Sequence, residues 1–157
     1  MKLFSVTLIA LPVLLLIAGQ AGLLRSEPVA PPGVRDARLA PILVDRQNSV
    51  SSQTPSDPHR IEPIRLNGEP VAAFARLRQI VASTPGVHIV EQNDGYLYAH
   101  CESRVLRFVD DLELLLDAAA GVVQVRSASR LGSKDFGVNR ARIEALRTTF
   151  NSQPGAS

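Results

Sequence analysis

Several residue types are scarce in this sequence of 157 residues, and each scarcity excludes something. There is one cysteine, Cys101, so no disulfide can form within the chain and no cysteine–histidine spacing of a zinc site is present. Lys2 and Lys134 are the only lysines, and a formal net charge of +2 is too weak to indicate a nucleic-acid-binding protein. Tryptophan is absent, and the exposed aromatic stack typical of single-strand binding is missing.

The motifs of common catalytic sites are also missing. The sequence has no glycine-rich phosphate loop, no G-x-S-x-G elbow and no pair of carboxylates at a recognised spacing. His59, His88 and His100 are too scattered to indicate a metal site. Asp110 and Asp111 are neighbours in a predicted strand, so their side chains face opposite ways. The sequence therefore indicates no cofactor and no metal, and it favours a protein that is not an enzyme.

The longest uncharged run lies at the N-terminus. After Lys2, residues 3–24 carry no charge, and Arg25 closes the run. This run is long enough to cross a bilayer as a helix. It also fits a secretory signal, with a small-residue cleavage motif at residues 19–21. Both interpretations of residues 1–25 predict export, either to the inner membrane facing the periplasm or into the periplasm after cleavage.

The next segment, residues 26–58, is rich in proline and has little periodicity, which predicts an extended connector. Within it, residues 39–44 (LAPILV) are apolar enough to lie on a domain surface, whereas residues 47–58 form a polar loop. The domain itself is predicted over residues 59–151, followed by a disordered tail over 152–157.

Regular patterns begin after His59. Apolar residues at helical spacing predict a helix over 70–83, with Pro70 at its first position. Asn-Asp-Gly at 93–95 predicts a hairpin turn. The other predicted elements are strands over 60–66, 87–92, 96–105, 109–117 and 122–129, and a helix over 138–150. This β-α-β-β-β-β-α order predicts an α+β fold, in which both helices pack on one face of an antiparallel sheet. The order is similar to that of the helix-grip and TATA-binding-protein-like folds.

The alternation of side chains predicts which sheet face is buried. Leu97, Ala99 and Cys101 are small and apolar, so they should lie under the helices, with Cys101 as a core residue rather than a nucleophile. The other face is predicted to be open. Turns centred on 106–107 and 119–120 would place His100 opposite Glu113, and Glu113 opposite Arg126. Such a row could be a solvated charge ladder or one side of a binding site.

The segment RSASRLGSKDFGVNRARIEALR, residues 126–147, is the densest cluster of polar groups. It joins the last strand to the N-terminus of the last helix, where free N–H groups and the helix dipole favour an anion. Arg126, Arg130 and Arg140 could converge there on a small anionic ligand. Alternatively, Asp135 already occupies the helix N-terminus as a cap.

Three blocks of sequence resemble the domain-of-unknown-function 1499 family of bacteria and plastids. They are NSVSSQ (48–53), FVDDLELLLD (108–117) and the segment 126–147, and AGQAGLLR (18–25) resembles proteobacterial members. The resemblance brings no established activity, but it singles out motif positions. It implies that the connector is partly packed on the domain, from about residue 33 onward, with the segment 48–52 near the segment 126–140. Ser49 stands where the family usually has cysteine, which argues against thiol chemistry.

The candidate ligand-binding residues are Asn48, Ser51, Ser52, Arg126, Ser127, Ser129, Arg130, Asp135, Asn139 and Arg140, with His100 and Glu113 in the row on the open face. The favoured hypothesis is a non-catalytic, membrane-tethered or periplasmic domain that binds a partner protein of the envelope or a small anionic ligand. The alternatives are a purely structural envelope protein and a hydrolase that uses a serine of the segment 49–52 with His100 and Asp110 or Asp111. Nucleic acid is not an expected partner, and the sequence does not indicate the oligomeric state.

Overall fold

The part of the chain that the structure describes combines three α-helices with eight strands. The computed structural model describes residues 2–24, 26–28 and 32–153. The helices are α1 (Lys2–Gln20), α2 (Pro70–Ser83) and α3 (Val138–Ser152); the strands are β1 (Val34–Arg35), β2 (Arg38–Leu39), β3 (Ser49–Ser51), β4 (Ile64–Arg65), β5 (Val87–Gln92), β6 (Tyr96–Glu102), β7 (Val109–Asp117) and β8 (Val122–Ser129). Of the predicted tail, Ser152 belongs to α3, and residues 154–157 lie outside the described part, as does Arg25.

The main sheet has six strands, and its long path follows the order β3-β8-β7-β6-β5, with β4 also paired to β8. Every pairing between these strands is antiparallel. The predicted α+β class is therefore confirmed. Strand β3 is an addition, because it lies in a segment predicted to be a polar loop. It pairs Ser51 with Arg126, which brings the two polar sequence blocks together.

The helix face of the sheet holds the main hydrophobic core. Both α2 and α3 pack here, and Phe74, Leu77 and Phe150 are completely buried. Leu97, Ala99 and Cys101 lie in this core, as the alternation of β6 predicts. At the start of α2, Pro70 is in the first turn, and the carboxylate of Glu69 accepts hydrogen bonds from the N–H groups of the next turn. Local pattern and tertiary packing thus agree on this face.

The opposite face of the sheet is covered rather than open. Residues 33–46 of the connector cross it as the β1–β2 hairpin and the chain that follows, and Leu39 packs against Tyr96, Tyr98 and Leu115. The two tyrosines are each only 5% exposed. The prediction of an open face was wrong because the covering strands have two residues each and carry no clear periodicity. From here on, the word connector means only residues 33–46 of the predicted segment 26–58. This connector is part of the domain.

The register between β6 and β7 differs from the predicted one. His100 lies opposite Asp111, and Glu113 lies opposite Tyr98. The loop 103–108 closes through hydrogen bonds from Ser103 N to Phe108 O and from Arg107 N to Ser103 O. These bonds shift the centre of the turn toward the N-terminus, which moves the partner of His100 by two residues. The pairing of Glu113 with Arg126 across the second hairpin is as predicted.

The N-terminal helix α1 approaches the domain at its C-terminal end. The side-chain amide of Gln20 donates to the carbonyl of Val105 at 2.9 Å. Large apolar side chains along the second half of this helix are exposed, among them Leu11, Leu14 and Ile17. Within the described part of the chain, no helix combines the length and the apolar character required to cross a membrane.

Candidate functional site

The covered face of the sheet contains a buried ion pair. Arg126 Nη1 donates to Glu113 Oε2 at 2.5 Å, and the two side chains are 3% and 0% exposed. The other carboxylate oxygen accepts hydrogen bonds from the Tyr96 hydroxyl at 2.8 Å and from Gly33 N at 2.7 Å. Burial, reinforced by the charge of Glu113, raises the pKa of Tyr96 well above its ordinary value, so the phenol stays protonated and donates. The carboxylate is thus bound on both sides.

A second ion pair joins Asp111, two residues before Glu113 on β7, to Arg130, which directly follows the end of β8. Arg130 donates from Nε and Nη2 to Asp111 Oδ1 at 3.0 and 2.8 Å, and Nη2 also contacts the Tyr98 hydroxyl and His100 Nε2. The Tyr98 hydroxyl donates to the same carboxylate oxygen at 2.8 Å. Nη1 of Arg130 donates to the carbonyl of Ser26. This guanidinium therefore joins β6 and β7 to the segment that follows α1.

A third polar cluster lies on the helix face, beneath the start of α3. Asn139 is fully buried, and its amide nitrogen donates to Asn48 O, Ser129 Oγ and Asp135 Oδ2 at 3.0, 2.9 and 2.9 Å. Its amide oxygen accepts from Ser127 Oγ at 2.6 Å. Asn139 therefore joins four of the other residues selected from the sequence.

Arg142 extends this cluster, although the sequence analysis did not select it. Its guanidinium donates to Asp110 Oδ2 at 2.6 Å, to Ser127 Oγ at 2.8 Å and to Asn139 Oδ1 at 2.5 Å. Arg142 follows Asn139 by three positions, so the two share one face of the helix. That spacing, next to an asparagine predicted to be functional, was the signal that could have identified it.

The N-terminus of α3 is capped from within the chain. Asp135 Oδ1 accepts from Gly137 N at 3.0 Å, and Oδ2 accepts from Asn139 N at 2.9 Å. Burial opposes ionisation of Asp135, but these hydrogen bonds outweigh it and hold the pKa of the carboxyl below its ordinary value. Asp135 therefore occupies this helix end, as the capping alternative predicts.

The three candidate arginines do not converge. Arg126 pairs with Glu113 and Arg130 with Asp111, whereas Arg140 donates to the carbonyls of Pro58 and Arg60, outside the sheet. The predicted convergence was wrong because each cation has a closer partner that is distant in sequence. These arginines act as internal clamps between strands and connecting segments.

The serines of the segment 49–52 are not arranged like a catalytic nucleophile. Ser52 Oγ donates to Gln124 Oε1 at 2.7 Å and accepts from Val125 N at 2.9 Å, and Ser51 Oγ accepts from Gln53 N. A histidine does contact this segment, but through the main chain: His59 Nδ1 lies 2.9 Å from Ser49 O. None of the hydrogen bonds in the described part links a serine hydroxyl of this segment to a histidine.

A small cavity of about 20 Å³ lies between the connector and the end of β8. Its walls include Arg46, Asn48, Ser49, Arg126 and Ser129. Two buried polar atoms of this lining, Ser49 Oγ and Arg126 Nε, have no hydrogen-bond partner among the described residues. Its apolar walls are Pro41, Ile42, Leu43 and Ala128. The predicted residues Asn48, Arg126 and Ser129 are thus brought together here.

A larger cleft of about 630 Å³ opens beside His88 and His100, which lie directly opposite each other on β5 and β6. Arg107, Glu102 and Glu27 also line it, and Arg107 pairs with Glu102 at 2.7 Å. Its formal charges largely cancel. Across the residues described, no group of three or more histidine, cysteine, aspartate or glutamate side chains could hold a metal ion.

One known protein family matches this chain. The family model described as protein of unknown function (DUF1499) matches residues 38–150, which is more than half of the chain. The chain belongs to this family. The match starts in the β1–β2 hairpin and ends at the last core residue of α3, so the DUF1499 domain includes most of the connector that covers the sheet. No curated protein and no solved structure matches the chain.

Proposed function

We propose that this DUF1499 protein is a non-catalytic domain of the cell envelope that binds a small anion between the connector and the end of β8. The observation that supports it most directly is the pair of buried, unpartnered groups, Ser49 Oγ and Arg126 Nε, on the wall of one cavity. A buried donor without a partner costs about 1–3 kcal/mol, so an occupant that accepts both hydrogen bonds stabilises the folded protein.

The charge of the lining favours an anion over a neutral molecule. Arg46 is half-buried, and none of the ion pairs among the described residues involves it. None of the described residues that line the cavity is acidic, and because Glu113 balances the charge of Arg126, the net positive charge of the lining comes from Arg46. The Nε–H group of Arg126 can only donate, and the hydroxyl of Ser49 is free to donate as well. An occupant that only accepts hydrogen bonds matches this set.

The size of the cavity limits the occupant. About 10–15 Å³ is enough for one water-sized particle, and the cavity measures about 20 Å³. A particle of about the size of a water molecule or a chloride ion fits these dimensions, and the charge of Arg46, unpaired among the described residues, favours the ion. Phosphate or a carboxylate of a metabolite requires the wall formed by Pro41, Ile42 and Leu43 to move outward. We therefore assign the site to a small inorganic anion that fastens the connector to the sheet.

We also propose that the apolar N-terminal segment directs the chain to the envelope and keeps it at a membrane. Supporting this, exposed leucine, valine and isoleucine side chains along α1 would be unfavourable in water. Cell fractionation and the mass of the mature chain test this part. Recovery of the intact chain in the cytosol would contradict both parts, whereas loss of residues 1–25 would identify a cleaved signal and contradict retention at the membrane.

The anion is tested by thermal unfolding of the full chain in sodium chloride and in sodium gluconate at equal ionic strength. Chloride is expected to raise the midpoint, because a ligand that binds only the folded state stabilises it. Ser49→Ala and Arg46→Met should reduce this rise, and Arg104→Met, at an exposed loop outside the cavity, should retain it.

Crystals soaked in sodium bromide give a second readout. An anomalous peak between Ser49 and Arg126 would support the assignment. The anion site would be ruled out if chloride changed the unfolding midpoint of the wild type and of both cavity variants equally and no anomalous peak appeared. A purely structural role would then be favoured.

A further inference from the structure

We infer that one end of the domain, formed by the loop 103–108 and residues 131–138, rests on an anionic lipid bilayer. We call this surface the lower end. The inference rests on the proposed association of α1 with a membrane, and it adds which part of the folded domain faces the lipid.

The lower end exposes an unusual number of large apolar side chains. Phe136 is 96% exposed, Val105 63% and Val138 52%, and Phe108 and Leu131 are also exposed. Four of these residues, all except Val105, line one groove of about 560 Å³. Scattered apolar residues are normal on a protein surface, but a contiguous patch marks an interaction site.

The apolar helix α1 reaches the same end of the domain. Gln20 donates to the carbonyl of Val105. Gly19 lies so close to Leu106 that a Cβ atom at this position would clash with its carbonyl oxygen, so glycine permits the close approach. The C-terminal end of α1 is therefore held against the lower end, so a membrane that takes up the exposed apolar side chains of α1 would lie beside this end of the domain.

The charges of the lower end complement anionic headgroups. Arg104 and Lys134 are exposed on its two loops. The acids nearby are engaged, since Glu102 pairs with Arg107 and Asp135 caps α3. Basic residues next to exposed aromatic and aliphatic side chains are typical of surfaces that bind anionic bilayers.

The opposite end of the domain has a different character. Its hairpin turns consist of residues 93–95 and 118–121, which contain asparagine, aspartate, alanine and glycine. Among the described residues of these two turns, none is an exposed large hydrophobic residue. Because one end exposes apolar side chains and the other consists of small and polar residues, the domain has one preferred orientation. The lower end faces the lipid and the hairpin turns face the solvent.

The test uses the absence of tryptophan from the natural sequence. Phe136→Trp introduces a single fluorophore at the lower end, and Val71→Trp places the control at the start of α2, where the side chain is 47% exposed. The full chain is mixed with vesicles of equal parts phosphatidylcholine and phosphatidylglycerol, and with vesicles whose acyl chains are brominated near the headgroup. Bromine is expected to quench most of the emission of the Phe136→Trp protein and to leave that of the Val71→Trp protein unchanged.

Flotation of the same samples distinguishes the membrane association of α1 from the contact of the lower end with lipid. If the chain does not float with the vesicles, the membrane association of α1 is wrong, and this inference falls with it. If the chain floats but Trp emission at position 136 is neither quenched nor shifted to the blue, the association stands and the lower end does not face lipid. If circular dichroism shows that the Phe136→Trp protein is misfolded, the measurement is repeated with Phe108→Trp, which lies in the same groove.

Discussion

Arg126 and Glu113 lie directly opposite each other on β8 and β7, and their ion pair is sealed from solvent on both sides. Breaking a buried pair leaves one uncompensated charge, at a cost of about 3–5 kcal/mol. We expect Arg126→Met or Glu113→Gln alone to lower the free energy of unfolding by this amount. The double variant should recover much of the loss, because no charge then stays unpaired. Urea denaturation of the four proteins measures the coupling; strictly additive losses would contradict it.

The turn of the β1–β2 hairpin is strained. Asp36 and Ala37 both have left-handed backbone angles, with φ of 51° and 57°. A two-residue turn of this type favours glycine, and a residue with a Cβ atom pays about 1 kcal/mol in the left-handed region. Ala37→Gly is therefore expected to stabilise the protein by up to about 1 kcal/mol, with the change read from the urea midpoint. Gly33→Ala, where φ is 133°, is the matched opposite and should destabilise.

The cap of α3 makes part of the stability depend on pH. The folded pKa of Asp135 lies below its ordinary value of 3.8. The ionised carboxylate therefore adds stability above that value, and the contribution is lost as the pH falls through the folded pKa. Asp135→Asn is expected to lower the free energy of unfolding by about 0.3–1 kcal/mol at neutral pH, the usual contribution of a negative charge near a helix N-terminus. The difference between the two proteins should shrink toward zero in acid, and a difference independent of pH would disprove the role of the charge.

The single cysteine reports on the integrity of the helix face. Burial raises the pKa of the Cys101 thiol to about 11, against the opposing effect of Arg142. At a pH of about 8 the thiolate fraction alone makes reaction with a disulfide reagent roughly two orders of magnitude slower than in the unfolded chain. We expect native protein to react slowly with Ellman's reagent and urea-unfolded protein to react at once. Fast labelling of the native state would mean that the core around β6 opens readily.

Much of the helix face could be predicted from the sequence because its signals are local. The spacing of apolar residues in α2 and the alternation in β6, β7 and β8 coincide with the observed elements within a few residues. The turn at 119–120 is tight, so the register of Glu113 against Arg126 follows from counting. In the loop 103–108, Arg107 takes a left-handed conformation without being glycine, and the sequence gives no sign of the shifted register.

The candidate site was harder to predict, because contacts between distant residues determine it. Asn48, Ser127, Ser129, Asp135 and Asn139 do assemble, yet they bond mainly to one another and to the main chain. The composition of a cluster cannot show whether its donors are already satisfied. The hairpin of the connector was missed for a related reason, since strands of two residues and a turn without glycine give no local signal.

The order in which the connector is attached has a mechanical consequence. Starting from the N-terminus, the chain is fastened to the sheet at Ser26 by Arg130, then at Gly33 by Glu113, and then through Leu39 on the tyrosines. A force applied from the N-terminal side would load these contacts one after another. The connector would therefore detach from the sheet stepwise while the helix face stayed folded. The contact of Gln20 with Val105 would open first. Arg130 and Glu113 would then be the first groups on the sheet to lose a hydrogen bond, and the buried charges would meet water only after the connector had detached.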